Sequence, residues 1–163
     1  MDTTERKPYV LIQRPMTMED FRQLTESVNV WVEGNETPLF KYRKSLTDLA
    51  YILFTMFKQG QLRVYAPAND PMIPAGLLSV SIGQLWWIDA RVLFEELVLN
   101  LDPKKFHGFL SFAIHEMEQT AKAYACDIIC SGASMLQNTD KVEKKYKQHG
   151  FVFYGKDFLK EMD

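Results

Sequence analysis

Two adjacent glutamates, Glu95 and Glu96, interrupt the most apolar stretch of the sequence, which runs from Val92 to Leu101. A run with so few polar residues is typical of a strand buried on both faces of a sheet. Burial disfavours the charged form of a carboxyl group and raises its pKa, which suits a general base that works near neutral pH. The residues alone leave a second interpretation open, in which one glutamate faces solvent and the other pairs with a lysine.

A basic segment follows Pro103 and leads into an amphipathic helix; it contains Lys104, Lys105, His107 and Gly108. Lysines in the first turn of a helix oppose the helix dipole and cost roughly a few tenths of a kcal/mol unless an anion lies nearby. The segment therefore favours binding of a phosphate group through lysine charge and free backbone N–H groups. A solvated helix start is the alternative.

Metal chemistry is not expected. Cys126 and Cys130 are the two cysteines, and His107, His115 and His149 are the histidines, without the spacing of a metal site. A structural zinc needs about four ligands. We therefore predict no metal and interpret the cysteines as reduced thiols of a cytoplasmic protein.

Two other groups have more than one interpretation. Trp86 and Trp87 on a strand would point to opposite faces, so one ring could line a substrate cleft or a homodimer contact, or the pair could be core and exposed edge. A short charged helix near residue 145 carries four lysines, which favours a solvated face over contact with a ribose phosphate or nucleic acid. These lysines are Lys141, Lys144, Lys145 and Lys147.

Length and composition are those of one folded domain spanning residues 1–163. The chain is 47% hydrophobic and 13% aromatic, and its net charge is −2. This composition excludes a disordered chain, and the charge gives no general attraction to nucleic acid. No apolar run reaches the ~20 residues of a membrane helix, so we expect no membrane association.

The elements that must position these residues follow the order β-α-α-β-β-β-α-β-α-β, a mixed α/β sheet with an antiparallel front half and a parallel crossover behind it. Residues 29–44 are interpreted either as a second short helix or as a loop, and the partner of strand 76–82 is either 84–88 or 92–99. The predicted strands are 9–13, 62–66, 76–82, 92–101, 127–130 and 151–154, and the predicted helices begin near 17, 45, 106 and 140.

Three short segments resemble the GNAT superfamily of acyl-CoA-dependent N-acetyltransferases. Ile12–Leu24 is similar to the family's first strand and helix, with an arginine, a turn, Glu-Asp and an apolar helix. Tyr146-Lys-Gln-His-Gly150-Phe151 resembles the family's Tyr-x-x-x-Gly-Phe. Leu99-Asn-Leu101-Asp-Pro103 resembles the strand that leads into the family's cofactor loop. The resemblance implies the GNAT fold, with two strands that splay apart ahead of Pro103.

The cofactor loop departs from the family's pattern, Arg/Gln-x-x-Gly-x-Gly/Ala. Counted without a gap from Pro103, Phe106 stands at the arginine, Phe109 at the first glycine and Ser111 at the last small position. Shifted by one, Lys105 and Gly108 take the first two places and Leu110 the last. The resemblance implies that acetyl-CoA binds through the following residues: Leu99, Asn100, Leu101, Lys105, Phe106, His107, Gly108, Phe109 and Ser111.

The resemblance also implies a reaction. Glu95, six residues before Leu101, stands where several family members have a basic carboxylate, and Glu96 is the alternative. Tyr146 matches the tyrosine that protonates the departing thiolate. The acceptor would be an amine on a small molecule or a protein. A second hypothesis is a non-catalytic binding or accessory protein of the same fold, of viral origin for instance, that has lost the cofactor loop.

Overall fold

The computed structural model describes residues 7–33, 44–131 and 139–153. Five strands in this part of the chain form one sheet in the order β1-β2-β3-β4-β5. The elements, in chain order, are β1 Tyr9–Leu11, α1 Met18–Glu33, α2 Leu46–Lys58, β2 Leu62–Pro67, β3 Gly76–Gln84, β4 Arg91–Asn100, α3 Phe109–Ala123, β5 Ile128–Cys130 and α4 Thr139–Gln148.

The sheet is mixed, as the sequence predicted. β1 to β4 pair in antiparallel fashion, and β3 pairs with β4, which settles the partner that the sequence left open. β5 lies parallel to β4, and the two strands pair only through Val92–Phe94 and Ile128–Cys130. β4 continues for six residues beyond this pairing. Within the described residues β4 therefore has no paired neighbour on this side beyond Phe94, which agrees with the predicted separation ahead of Pro103.

Neighbouring strand residues alternate between two hydrophobic cores because successive side chains point to opposite faces of a sheet. Val64, Leu77 and Leu99 pack with α1 and α2, whereas Tyr65, Leu78 and Val98 pack with α3. Tyr146 of α4 joins the second core. The candidate acid therefore lies on the face of the sheet covered by α3.

The predicted starts of α1 and α2 are confirmed by their capping contacts. The Thr17 hydroxyl accepts a hydrogen bond from the Asp20 amide at 3.3 Å, and the Asp20 carboxylate accepts one from the Thr17 amide at 2.6 Å. Ser45 receives the amide of Asp48 at 3.1 Å, and Gly60 follows α2 with φ 72°. These bonds satisfy amides that a helix start leaves unpaired, and those of Thr17 and Asp20 are reciprocal.

Gly76 is the point where β3 and α3 touch. A Cβ built on Gly76 would lie 2.2 Å from Cζ of Phe109, the first residue of α3. The Phe109 ring is buried and contacts Tyr9 edge-on, with ring centroids 5.3 Å apart. Only a residue without a side chain fits under this ring, so Gly76 sets how closely the start of α3 approaches the sheet.

Several predicted boundaries differ from the structure. α3 begins at Phe109 and not at Phe106, because Gly108 has a left-handed conformation and Phe106 lies in the preceding turn. Residues 29–33 extend α1, and 34–43 lie outside the described residues. Residues 151–153 adopt no strand, and position 154 lies outside the described part. A β-favouring run without a paired neighbour gains no ladder hydrogen bonds, and Val152 and Phe153 are exposed.

Within the described residues no helix combines the length and apolar character needed to cross a membrane.

Candidate functional site

A β-bulge in β4 separates the two adjacent glutamates. Ser79 pairs with Leu97 and Val80 pairs with Glu95, so Glu96 is the extra residue on its strand. An extra residue bends the strand and re-aims the neighbouring side chains. Glu95 directly follows Phe94, the last residue of β4 that pairs with β5. The bulge thus lies where the two strands begin to diverge.

Glu95 forms a compact cluster with two hydroxyl groups from distant parts of the chain. Tyr146 of α4 donates a hydrogen bond of 2.5 Å to Oε2 of Glu95. Ser131, the residue after β5, donates a short hydrogen bond to the same oxygen. The Tyr146 ring is buried and packs edge-on against Phe151 at 5.1 Å. One carboxylate oxygen therefore accepts two protein hydroxyls at the point of strand divergence.

The electrostatics of the cluster follow from burial. Desolvation raises the pKa of Glu95, while the hydrogen bonds from Ser131 and Tyr146 lower it in part. Desolvation also raises the pKa of Tyr146, and the negative charge of Glu95 raises it further. The cluster therefore holds a carboxyl group that accepts a proton more readily than an ordinary glutamate and a phenol that keeps its own proton firmly.

Glu96 is not part of this cluster. Its side chain is exposed and accepts a short hydrogen bond from Ser81 on the neighbouring strand. Glu96 thus faces solvent, as the second interpretation expected for one of the two glutamates. Glu95 does not pair with a lysine as that interpretation expected for the other, because it accepts hydrogen bonds from two hydroxyls. Of the candidate carboxylates, the structure brings only Glu95 to Tyr146.

The turn after β4 is organised by Asp102. Its carboxylate accepts the amides of Lys104 at 3.1 Å and Lys105 at 3.2 Å, and its carbonyl accepts the amide of Phe106 at 2.7 Å. The Lys105 ammonium lies 5.2 Å from the centroid of the Phe106 ring. The amides of residues 104–106 are thus already used, and Lys105 can offer an anion only its charge.

The start of α3 presents the opposite situation. Gly108 adopts φ 73° and provides no side-chain cap, and no residue in the described part of the chain accepts a hydrogen bond from the amides of residues 107–111. Two carbonyls fix this turn: that of Phe106 accepts the Asn100 side chain at 2.5 Å, and that of His107 accepts the Tyr9 hydroxyl at 2.6 Å. Five successive amides are therefore held at a helix N-terminus, the positive end of its dipole.

The predicted cofactor residues divide by what they can offer. Phe106 and Phe109 have buried rings, so their side chains serve the core. His107 and Gly108 are exposed and Ser111 is half-buried, and all three have amides in the group just described. Among Leu99, Asn100 and Leu101, the Leu101 amide is bound to Ala75 O at 3.0 Å. Strand alternation then directs the Asn100 backbone to the open edge of β4.

Trp86 and Trp87 do not lie on a strand, so the prediction that their rings point to opposite faces of a sheet is wrong. Both belong to the turn between β3 and β4 and are 93% and 52% exposed.

On α4, Lys147 forms an ion pair of 2.7 Å with Glu143, and Lys141 and Lys144 are exposed. The described residues contain no group of three or more His, Cys, Asp or Glu side chains suited to a metal ion.

Known structures share this fold. The chain is similar to a ribosomal-protein-alanine N-acetyltransferase from Brucella melitensis, with 10% identity, coverage of 94% of this chain and 99% of that chain, and a TM-score of 0.62. It is also similar to a predicted acetyltransferase from Clostridium acetobutylicum, solved with acetyl-CoA, with 14% identity, coverage of 95% and 94%, and a TM-score of 0.56. The chain has the fold of the GNAT acetyltransferases.

The GNAT fold alone does not determine an activity. A transcriptional regulator from Bacillus halodurans is also similar, with 15% identity, coverage of 91% and 97%, and a TM-score of 0.63. No family model and no curated protein sequence matches the chain. The function must therefore be argued from the site.

Three residues that matter to this GNAT-fold site were not singled out from the sequence. Ser131 and Tyr9 reach the site only through tertiary contacts 36 and 98 positions away in the chain, so no local pattern identifies them. Asp102 had a local signal, because Asp-Pro followed by two free amides is typical of a turn in which the carboxylate accepts backbone N–H groups.

Proposed function

We propose that the protein is an acyltransferase that moves an acetyl group from acetyl-CoA to an amine. The observation that carries the proposal is the hydrogen bond between Glu95 and Tyr146 at the point where β4 leaves β5. A proton acceptor and a proton donor meet beside a strand edge that lacks a partner in the described sheet. This is the equipment that amine acylation by a thioester needs.

The residues fit the co-substrate. Five amides at the positive end of α3 suit the diphosphate of coenzyme A, and Lys105 adds charge. The open edge of β4 at Asn100 offers backbone groups to the amides of the pantetheine arm. In this proposal the amides of residues 107–111 replace the family's glycine-rich loop, and the side chains of Phe106 and Phe109 bind nothing.

Each group of the cluster has a defined role in the reaction. Acetyl-CoA supplies an acetyl group activated as a thioester. Glu95 takes a proton from the attacking amine, which its raised pKa favours. Tyr146 gives its hydroxyl proton to the sulfur as the carbon–sulfur bond breaks. Glu96, exposed on the other side of the bulge, takes no part in this scheme.

The acceptor is an amine on a small molecule or a protein. The single domain over residues 1–163, the cytoplasmic location and a homodimer remain predictions from the sequence. The second candidate is a GNAT-fold binding protein without activity, and one observation favours it: Asp102 already binds the amides of Lys105 and Phe106, the residues that stand at the family's arginine in the two registers.

Calorimetry with acetyl-CoA separates the two candidates. We expect saturable binding by the parent protein and loss of binding in Ser111→Asp, which places a carboxylate among the amides of residues 107–111. The same variant should unfold at an equal or higher temperature, because an acidic residue suits a helix N-terminus. Thr47→Asp adds the same charge to the first turn of α2 and should bind like the parent. Failure of the parent to bind acetyl-CoA at millimolar concentration would contradict the proposal.

A further inference from the structure

Ser131, Glu95 and Tyr146 share one oxygen atom, and this connection implies more than two separate catalytic groups. Both hydroxyls donate to Oε2 of Glu95, so the proton of Tyr146 already points at the group that must accept a proton. Resting on the proposed function, we propose that the three residues act as one relay, in which Tyr146 releases its proton only after Glu95 has taken one from the acceptor.

The proton balance of the relay closes. The acceptor nitrogen forms a bond to the acetyl carbon, and Glu95 removes a proton from that nitrogen. The carbon–sulfur bond breaks with its electron pair on sulfur, and the Tyr146 hydroxyl proton moves to sulfur. The proton on Glu95 then moves along the existing hydrogen bond to the Tyr146 oxygen. The net change is one proton from amine to thiol, and both side chains return to their starting states.

The order of the two steps follows from charge. While Glu95 is ionised, its negative charge beside the phenol opposes formation of a tyrosinate, and burial adds to this effect. A thiolate is a weaker base than such a tyrosinate and cannot take the proton readily. Once Glu95 is neutral, its charge no longer opposes the tyrosinate, and Tyr146 becomes a stronger acid than it was beside the ionised carboxylate. The amine must therefore be committed before the thiolate is released as a thiol.

Ser131 is the positioning residue of this relay. It lies one residue beyond the paired part of β5, and its hydroxyl bonds Glu95 across the start of the strand divergence. This bond favours the ionised form of Glu95. Among the described residues, Ser131 and Tyr146 are the polar groups that act on Glu95, and Glu95 and Ser131 are those that act on Tyr146. The apolar ring of Phe151 packs against Tyr146.

Nuclear magnetic resonance tests the coupling without any need for turnover. In protein labelled with ¹³Cζ-tyrosine, the Tyr146 signal is assigned by its loss in Tyr146→Phe. Glu95→Gln mimics the protonated carboxyl, so we expect Tyr146 to begin ionising at lower pH than in the parent. Glu96→Gln removes an equal charge one residue away and should leave the Tyr146 titration unchanged. An unchanged titration in Glu95→Gln, or equal shifts in both variants, overturns the relay.

The role of Ser131 has its own matched pair of variants. Acetyl-CoA turnover is measured against pH, with water as acceptor if no amine is known. In Ser131→Ala, the rate on the acidic limb should fall roughly tenfold, and the rate on the alkaline plateau should stay within about twofold of the parent. Ser131→Thr should restore it. Ser81→Ala, which removes the corresponding bond to Glu96, should match the parent. A uniform loss at all pH values would assign Ser131 a purely structural role and overturn this part of the inference.

These arms distinguish two failures. If the parent neither binds nor turns over acetyl-CoA, the proposed function fails. The Tyr146 titration still decides the coupling between Glu95 and Tyr146. The carboxyl titration of Glu95 in ¹³C-glutamate-labelled protein still decides the role of Ser131, because Ser131→Ala should move it to higher pH and Ser81→Ala should not.

Discussion

The hydroxyl of Tyr146 and the carboxylate of Glu95 lie 2.5 Å apart although 51 positions separate them in the sequence. The contact exists because β5 runs parallel to β4 and brings the following helix back over the face that carries α3. Glu95 faces the same core as Leu93, two residues before it, and the bulge at Glu96 lets Val98 face that core as well. The geometry of the pair therefore reports on the crossover that places α4 over this face.

The first prediction concerns the cost of keeping Glu95 buried. Its pKa is raised in the folded protein, so the folded state binds this proton more tightly than the unfolded state does. The contribution of the group to stability is therefore fully present in acid and is lost as pH rises through the folded pKa. Glu95→Gln should unfold at a higher temperature than the parent at pH 8. The difference in unfolding temperature should shrink towards pH 4.5, the ordinary pKa of a glutamate. Thermal unfolding followed by circular dichroism measures this, and a difference independent of pH would contradict it.

The second prediction concerns the start of α1. Asp20 accepts hydrogen bonds from Arg14 at 2.7 Å and from the amide of Thr17 at 2.6 Å, and these contacts lower its pKa to about 2. Its stabilising contribution is present above the ordinary value of 3.8 and is lost as pH falls towards 2. Asp20→Asn should lower the free energy of unfolding at pH 7 by about 1–2 kcal/mol, allowing for solvent screening.

A neighbouring ion pair provides the control for Asp20. Glu19 pairs with Arg22 at 3.4 Å, and both side chains are mostly exposed. Glu19→Gln should change the free energy of unfolding by less than about 0.5 kcal/mol. Urea titrations at pH 7 and pH 3 compare the two variants, and equal effects would show that Asp20 has no special role.

The third prediction concerns the contact that seats α3. Gly76→Ala should destabilise the protein by roughly 1–3 kcal/mol, because the new methyl group overlaps the Phe109 ring. Gly83→Ala on the same strand meets its nearest atom at 3.4 Å and should be close to neutral. Adding Phe109→Leu to Gly76→Ala should recover part of the lost free energy of unfolding. Urea titration of the parent, the two single variants and the double variant measures this coupling energy. Strictly additive effects would mean that the ring and residue 76 do not compete for space.

Much of the fold could be predicted because local chemistry and global structure agree in this chain. The Thr17–Asp20 and Ser45–Asp48 patterns determine helix starts through bonds made within four residues. The apolar stretch around residue 98 identified β4, since a strand between two cores must be apolar on both faces. Gly60 and Gly150 marked helix ends with positive φ angles of 72° and 85°.

The remaining features depended on contacts that sequence patterns do not encode. Helical spacing extended α3 back to Phe106, but the left-handed Gly108 places that ring in the core from a turn. Trp86 and Trp87 have strong β propensity, yet they lie in a turn. At the site, Glu95 and Tyr146 were candidates from the sequence, whereas their mutual hydrogen bond and the part of Ser131 required the crossover to be known.

The most direct test of the account asks which amides respond to coenzyme A. In ¹⁵N-labelled protein, the account predicts saturable shifts of the amide signals of residues 107–111 and of Asn100. S-acetylpantetheine, which lacks the diphosphate, should affect Asn100 but leave residues 107–111 nearly unchanged. The signals of Lys104 and Lys105 should move less, because Asp102 already holds their amides. Unchanged signals at residues 107–111 with millimolar coenzyme A, or shifts confined to another surface, would contradict the central claim.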